Sequence, residues 1–467
     1  MFGSGVVKQV FLNFHYLTSM LELKTLKPPA GPPRQIAWAI EKLLSNRLWA
    51  SAFLTITIIV VYWPVFNHQF QVQWDDQWVV INKYTSAGLH PENLWRVLTD
   101  FWGGQYAPVN ELFYILIYTF VKYDPFWFHT ACLAVHVINV LLVYHLFLKL
   151  LPRTTQFTAS SVQRISLFTA LLMAVHRFLV ESVAWISASK NSLYTLFYLV
   201  ALHAWLSYTK EFRFKYYLLT ICWFFISFGA KEQAVTLPIG LLLLDYALDR
   251  NMLARRLWLE KIPFFLLSLI FGIITFYSQA ANKEGILSDE PLYPFYQNIA
   301  FAGYAISEYF TKCLAPVNLS HFYPFPNAIG QPVPMRFWFY PVAVAFALVF
   351  LWINRNKKWI TWSAAFFLVH IVIASNVIPL SRNAIVADRY VYLASIGIFF
   401  CMAYLLNNLF LQKTAYRKII AGIAILYVLL LTVYAHNRSK VWYDSDTLKY
   451  DLRQLLNSKN VSSNEKK

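Results

Sequence analysis

A chain of 467 residues that is 58% hydrophobic and only 13% charged, with a mean hydropathy of +0.45, is too apolar for a soluble protein of this size. A net charge of +17 would suit nucleic acid if it formed one basic patch, but it is divided among short segments between apolar runs, so no nucleic-acid partner is expected. Cys132, Cys222, Cys313 and Cys401 lie singly in apolar stretches or at their ends, which suggests neither a disulfide framework nor a metal-binding spacing.

Apolar runs long enough to cross a bilayer recur along the whole chain. They predict an all-α, polytopic membrane protein rather than a signal peptide followed by a soluble domain. Eleven spans are read at about 48–66, 127–149, 165–180, 191–208, 214–230, 233–248, 262–280, 337–353, 359–379, 391–411 and 417–436. With segment 1–47 in the cytoplasm, more than half of the 40 Lys and Arg residues fall on the inner side, among them Lys8, Lys42, Arg153, Arg164, Arg250, Arg255, Arg355, Lys357 and Lys358. Of the 23 acids, only Glu22, Glu41, Glu211, Asp245, Asp249 and Glu260 fall inside.

The first span is followed by Trp74-Asp75-Asp76. Adjacent carboxylates repel, and one of them at a lipid–water boundary can serve as a general base; the alternative is a solvated start to a loop. The outer loops 67–126 and 281–336 are the long ones, and each contains an apolar stretch read as an amphipathic helix on the outer surface, Val109–Val121 and residues 296–312. Counting 296–312 as a span would place Arg355, Lys357 and Lys358 outside. A tail, 437–467, is expected outside.

Polar groups collect on that outer side in chain order: Asp75 and Asp76, Tyr106 and Pro108, Glu181, Lys190, Lys231-Glu232, His321, Tyr323, Arg382, and Asp388-Arg389-Tyr390. Ionisable residues at span ends are costly unless they face a cavity or one another, so this set is the candidate site. Snorkelling at helix ends is the alternative for any one of them, Lys190 above all. Trp74, Trp78, Trp95, Trp102 and Trp127 suit either an interfacial belt or sugar stacking. His129, His136, His203 and His370 have no metal-ligand spacing and are read as helix-packing hydrogen bonders. No glycine-rich phosphate loop is present.

The stretch His176-Arg177-Phe178-Leu179-Val180-Glu181-Ser182-Val183-Ala184-Trp185-Ile186-Ser187-Ala188-Ser189-Lys190 resembles the signature of the transmembrane and tetratricopeptide repeat-containing mannosyltransferases and their bacterial relatives. Further matches follow in that family's order: Asp75-Asp76 with Asn82, Tyr106-Ala107-Pro108, His129, His136 with Asn139, Lys231 through Pro238, Asp245-Tyr246, Glu260 through Phe265, Tyr323-Pro324 and Ala387 through Tyr392. Together they cover about residues 48–450. Two departures stand out. Arg177 replaces the family's proline, and Ser189-Lys190-Asn191 replaces a charged triplet. Where relatives continue into helical repeats after Trp442 and Leu448, no 34-residue period is visible, and the chain is expected to lack them.

The resemblance implies a C-type glycosyltransferase architecture over 48–436. It implies transfer of a mannose-like hexose from a polyprenyl-phosphate donor to a hydroxyl of a protein or glycan acceptor, with inversion and no cofactor or obligatory metal. Asp75 is then the general base, and Asp76 orients substrate or helps to position it. Arg389, Lys231 and Lys190 hold the phosphate, with Glu181, Glu232, Asp388, Tyr390, Tyr106 and His321 as further substrate-binding residues. The expected location is the bacterial inner membrane with the active face outside, or the endoplasmic reticulum membrane in a eukaryote. The alternatives are a transporter or flippase of lipid-linked sugars, which calls for internal repeats and broken mid-membrane helices, and an inactive scaffold.

Overall fold

A computed structural model describes residues 46–282, 291–377 and 384–464. The basic amino-terminal residues Lys8 to Lys42, on which part of the orientation argument rests, and Arg382 lie outside the described residues. The fold is all-helical; among the described residues the only β-type pairings are isolated bridges, Trp102 with Gln105 and Tyr323 with Val386.

A backbone in an apolar surrounding must satisfy its own hydrogen bonds, and long apolar runs do so as helices. A helix covers the larger part of each apolar segment read from the sequence: Arg47–Val61, Pro125–Leu150, Ala159–Val175, Ser189–Glu211, Phe214–Ala230, Leu237–Ala247, Ile262–Ala281, Phe339–Ile353, Lys358–Ile371, Ser395–Gln412 and Arg417–Ser439. Among the described residues, five helical stretches are long and apolar enough to cross a membrane: Pro125–Arg153, Arg255–Ala281, Met335–Ile353, Ser395–Gln412 and Thr414–Trp442. Ala159–Val175 and Arg177–Ala184 would qualify together but bend by 54° at His176.

Local chemistry sets the helix ends. Pro125 and Pro263 sit in first turns, where their missing N–H groups have no intrahelical partner to lose. Asp124 caps Phe126 N at 3.1 Å. At the other end of Ser189–Glu211, Phe212 takes a left-handed backbone (φ 52°), which turns the chain directly into Phe214–Ala230.

Burial separates centre from rim. The most apolar window of Pro125–Arg153 is 61% buried, against 6% for Met335–Ile353 and 11% for Thr414–Trp442, so the first is a central helix and the other two show their apolar sides outward. Ser395–Gln412 lies close against Lys358–Ile371 because Gly397 carries no side chain; a Cβ there would stand 2.5 Å from the carbonyl oxygen of Ser363.

Three helices carry polar groups at both ends. Ser189–Glu211 starts at Lys190 and ends near Trp205 and Tyr208. Leu237–Ala247 starts after Glu232 and ends at Asp245. Ile262–Ala281 starts after Lys261 and ends with Thr275, Ser278 and Gln279. At the Asp245 end the ion pairs are direct: Lys261 to Asp245 at 2.5 Å, Arg250 to Asp245 at 2.9 Å and Arg250 to Glu260 at 2.7 Å. The Lys261 ammonium also lies 4.1 Å from the Trp205 ring centroid.

The segments between and beyond these helices contain helices too. The 67–126 loop contains Asp76–Val79, Lys83–Ala87, Pro91–Thr99 and Pro108–Val121, and the later loop contains Phe295–Leu314. The polar tail is a helix, Ser445–Asn464.

Candidate active site

The two adjacent aspartates have opposite surroundings. Asp76 is fully buried. Its Oδ2 accepts from Gln71 N at 2.7 Å; its Oδ1 accepts from Trp185 Nε1 and Ser187 N, each at 3.1 Å, and from the Ser187 hydroxyl. Burial pushes this carboxyl above its usual range, and the four donors work against that shift. Asp75 is half-buried beside a cavity of about 160 Å³, and Trp78 Nε1 donates to its Oδ1 at 3.3 Å.

Around that cavity stand Lys190, Lys231, Glu232, Arg389, Tyr390 and Tyr106, all expected from the sequence. Three cations and two carboxylates, Asp75 and Glu232, thus face one space. Arg389 donates to Glu181 Oε1 at 2.7 Å, and its guanidinium lies 5.3 Å from the Trp185 ring and 5.0 Å from that of Tyr390. Burial acts to lower the Arg389 pKa, but Tyr390, Glu181 and Asp75 outweigh it and hold the group above its ordinary value. Lys190 Nζ donates to Gln105 Oε1 at 2.6 Å, and Lys231 Nζ to Asn191 Oδ1 at 2.7 Å, 4.7 Å from the Tyr390 ring. The Tyr106 hydroxyl is turned to Leu98 O at 2.9 Å, so its ring and not its hydroxyl is held for the cavity.

Four expected residues do not line this cavity. Asp76 is spent on the donors above. Glu181, 1% exposed, holds Arg389 from behind, with Oε2 buried and without a hydrogen-bond partner among the described residues. Asp388 is fully buried between Tyr323 OH at 2.8 Å and Arg438 Nη2 at 2.9 Å. His321 pairs with Asp451 Oδ2 at 2.8 Å, and its ring meets Trp442 edge-on at 5.0 Å. In each case a partner distant in sequence takes up the polar group, so these four stand behind the cavity wall and not on it.

Other residues lining the space were not anticipated: Val79, Gly103, Gly104, Gln105, Trp185, Ser187, Thr275, Ser278 and Gln279. Two of these groups carry a sequence signal. Thr275, Ser278 and Gln279 recur at helical spacing on one face of an apolar helix end. Gly103-Gly104 marks the tight turn Trp102–Gln105; Gly103 has φ +55° and lies so close to Trp78 that a Cβ would collide with its ring. That turn holds Trp78, which bonds Asp75, and supplies Gln105 to Lys190.

A second space of about 30 Å³, enough for one or two waters, shares Trp78, Val79, Gln105 and Lys190 with the first and adds Glu111. Burial pushes the Glu111 carboxyl up to about 7, against a hydrogen bond from Asn82 and the charge of Lys190. Among the described residues no group of three or more His, Cys, Asp or Glu side chains is arranged to hold a metal ion.

Chemically, the arrangement pairs two cavity-facing carboxylates, Asp75 and Glu232, with a cationic wall able to hold a phosphate. In comparisons with known proteins, no family model matches this chain and no curated protein matches it.

Proposed function

We propose that this chain is a C-type membrane glycosyltransferase that moves a hexose from a polyprenyl-phosphate donor to an acceptor hydroxyl. The observation that carries the reading is that Asp75 lines one cavity with Arg389, Lys190 and Lys231. The ordered resemblance over about residues 48–450 supports it. The architecture proposed with it has eleven spans, including the shorter helices, with the cavity at the outer or lumenal face.

In the proposed reaction the acceptor oxygen attacks the anomeric carbon from the face opposite the phosphate. The bond from that carbon to the phosphate oxygen breaks, and polyprenyl phosphate leaves with the electron pair. Asp75 takes the acceptor's proton as the new bond forms. Arg389, with Lys190 and Lys231, offsets the charge that grows on the leaving phosphate. Glu232 and the neutral groups Thr275, Ser278 and Gln279 are the partners available for sugar hydroxyls.

The test is turnover and donor binding measured side by side on purified protein with a panel of radiolabelled polyprenyl-phosphate sugars. Asp75→Asn is expected to bind donor normally and to turn over ~10²–10⁴-fold more slowly. Near-normal turnover in Asp75→Asn would refute the base assignment. Binding of donor without transfer by the wild-type chain favours the scaffold or flippase reading, to which the bend at His176 lends a broken segment of the kind a transporter calls for.

A further inference from the structure

Trp442 lies outside the cavity, yet it reaches both oxygens of Asp76 through one intermediary each. Its indole stacks on Trp185, with centroids 5.4 Å apart and planes 15° from parallel. Trp185 donates to Asp76 Oδ1 and stands under the Arg389 guanidinium. On the other side, the carbonyl oxygen of Trp442 accepts from Gln71 Nε2 at 2.8 Å, and Gln71 N donates to Asp76 Oδ2. Gln69 N donates to Tyr443 O at 2.7 Å, and Gln73 N to the Ser445 hydroxyl at 3.1 Å, so residues 69–73 are tied to 442–445 at every second position.

Trp442 is 1% exposed, and its Nε1 has no hydrogen-bond partner among the described residues. The ring is therefore held by packing alone, between Trp185 on its face and His321 at 5.0 Å. A buried indole whose only polar atom is unpaired is poorly explained by local hydrogen bonding and well explained by the flat surface it offers to Trp185.

We infer that Trp442 is a positioning residue: the segment from Trp442 to Ser445 clamps the Gln69–Asp76 loop and so fixes where Asp75 points into the cavity. The inference rests on the proposed transferase reading and deepens it. Trp442 touches no reacting atom and acts through Trp185, Gln71 and Asp76. Arg389 shares the Trp185 face but has a further hold in its ion pair with Glu181, so the clamp governs the base more than the phosphate site.

The experiment compares wild type, Trp442→Phe, Trp442→Ala and Gln71→Ala in detergent-purified, folded protein. It measures kcat, KM for the lipid-linked donor, and amide exchange over residues 69–80. Trp442→Ala is expected to lower kcat ~10- to 100-fold, the scale of a misplaced catalytic group, with donor KM within about threefold and faster exchange over 69–80. Trp442→Phe keeps a stacking face and loses only an unpaired N–H, so it should recover most of kcat. Gln71→Ala releases the other side of the clamp without altering the ring, and lower kcat with faster exchange is expected there too. It decides the matter if Trp442→Ala does not fold. Unchanged exchange, unchanged kcat, or a Trp442→Phe as impaired as Trp442→Ala would overturn the inference. Failure of the wild-type chain to transfer from any donor in the panel would instead sink the transferase reading, before any clamp variant is compared.

Discussion

At the residue scale, the site turns on how differently neighbours in sequence are used. Asp75 and Asp76 are adjacent, but Asp76 is enclosed by four donors while Asp75 has one and faces open space. Arg389 and Asp388 diverge in the same way, one facing the cavity and the other locked to Arg438. Arg389 has one Nη committed to Glu181, which orients the guanidinium and leaves further N–H groups for a ligand. Arg389→Ala is expected to weaken donor binding by about 1.5–3 kcal/mol, roughly ten- to a hundredfold, in equilibrium binding to a polyprenyl-phosphate sugar. Arg389→Lys should recover only part, since lysine keeps the charge but not the planar fork. Equal affinity in all three proteins would reduce Arg389 to a counter-charge for Glu181.

At the element scale, the helices were legible because apolar length and first-turn prolines announce them, and every apolar segment read from the sequence contains one. Six cavity residues beyond Asp75 were legible for a related reason: charge and aromatic hydroxyls at the ends of apolar runs need a polar space. What could not be read was which end-group is consumed internally. His321 meets Asp451, Asp388 meets Arg438 and Asp76 meets Ser187 only after the chain has folded back, and no local pattern signals those pairings. The Ser445–Asn464 helix is the clearest case, since His321–Asp451 is one of its anchors. Burial lowers the His321 pKa, and the hydrogen bond from His321 holds Asp451 below its usual value. Both groups therefore bind protons more weakly when the helix is docked than when it is free. The docked state keeps its full advantage above about pH 6.5 and loses it as pH falls, first through His321 and then through Asp451. Amide protection over 445–464 is expected to drop between pH 7.5 and pH 5 after correction for intrinsic exchange; His321→Gln should flatten that drop, whereas Asp451→Asn, which removes a partner that raises the His321 pKa against burial, should not. A profile identical at both pH values would remove this pair as an anchor.

At the scale of the whole molecule, the orientation proposed from the basic loops fixes where both ends of the chain lie. With the amino terminus in the cytoplasm and eleven spans, a reporter fused at Lys467 is expected on the outer side. Strong alkaline phosphatase activity there is the predicted outcome, and a signal confined to the cytoplasm would contradict an odd number of spans. Within the bundle, Ser189–Glu211, Leu237–Ala247 and Ile262–Ala281 join the cavity to the Asp245–Lys261–Arg250–Glu260 cluster at their far ends. Each is pinned twice. Sliding one of them along its axis by even a single residue, about 1.5 Å, would pull charged groups out of contact at the cluster while moving Lys190, Glu232 or Gln279 at the other end. Piston-like travel is therefore the costliest motion open to these helices, and they act as rods of set length. Room for a substrate to enter and leave is then sought in tilting of the sparsely packed outer helices or in the walls that lie outside the rods, the short Gly103–Gly104 turn among them.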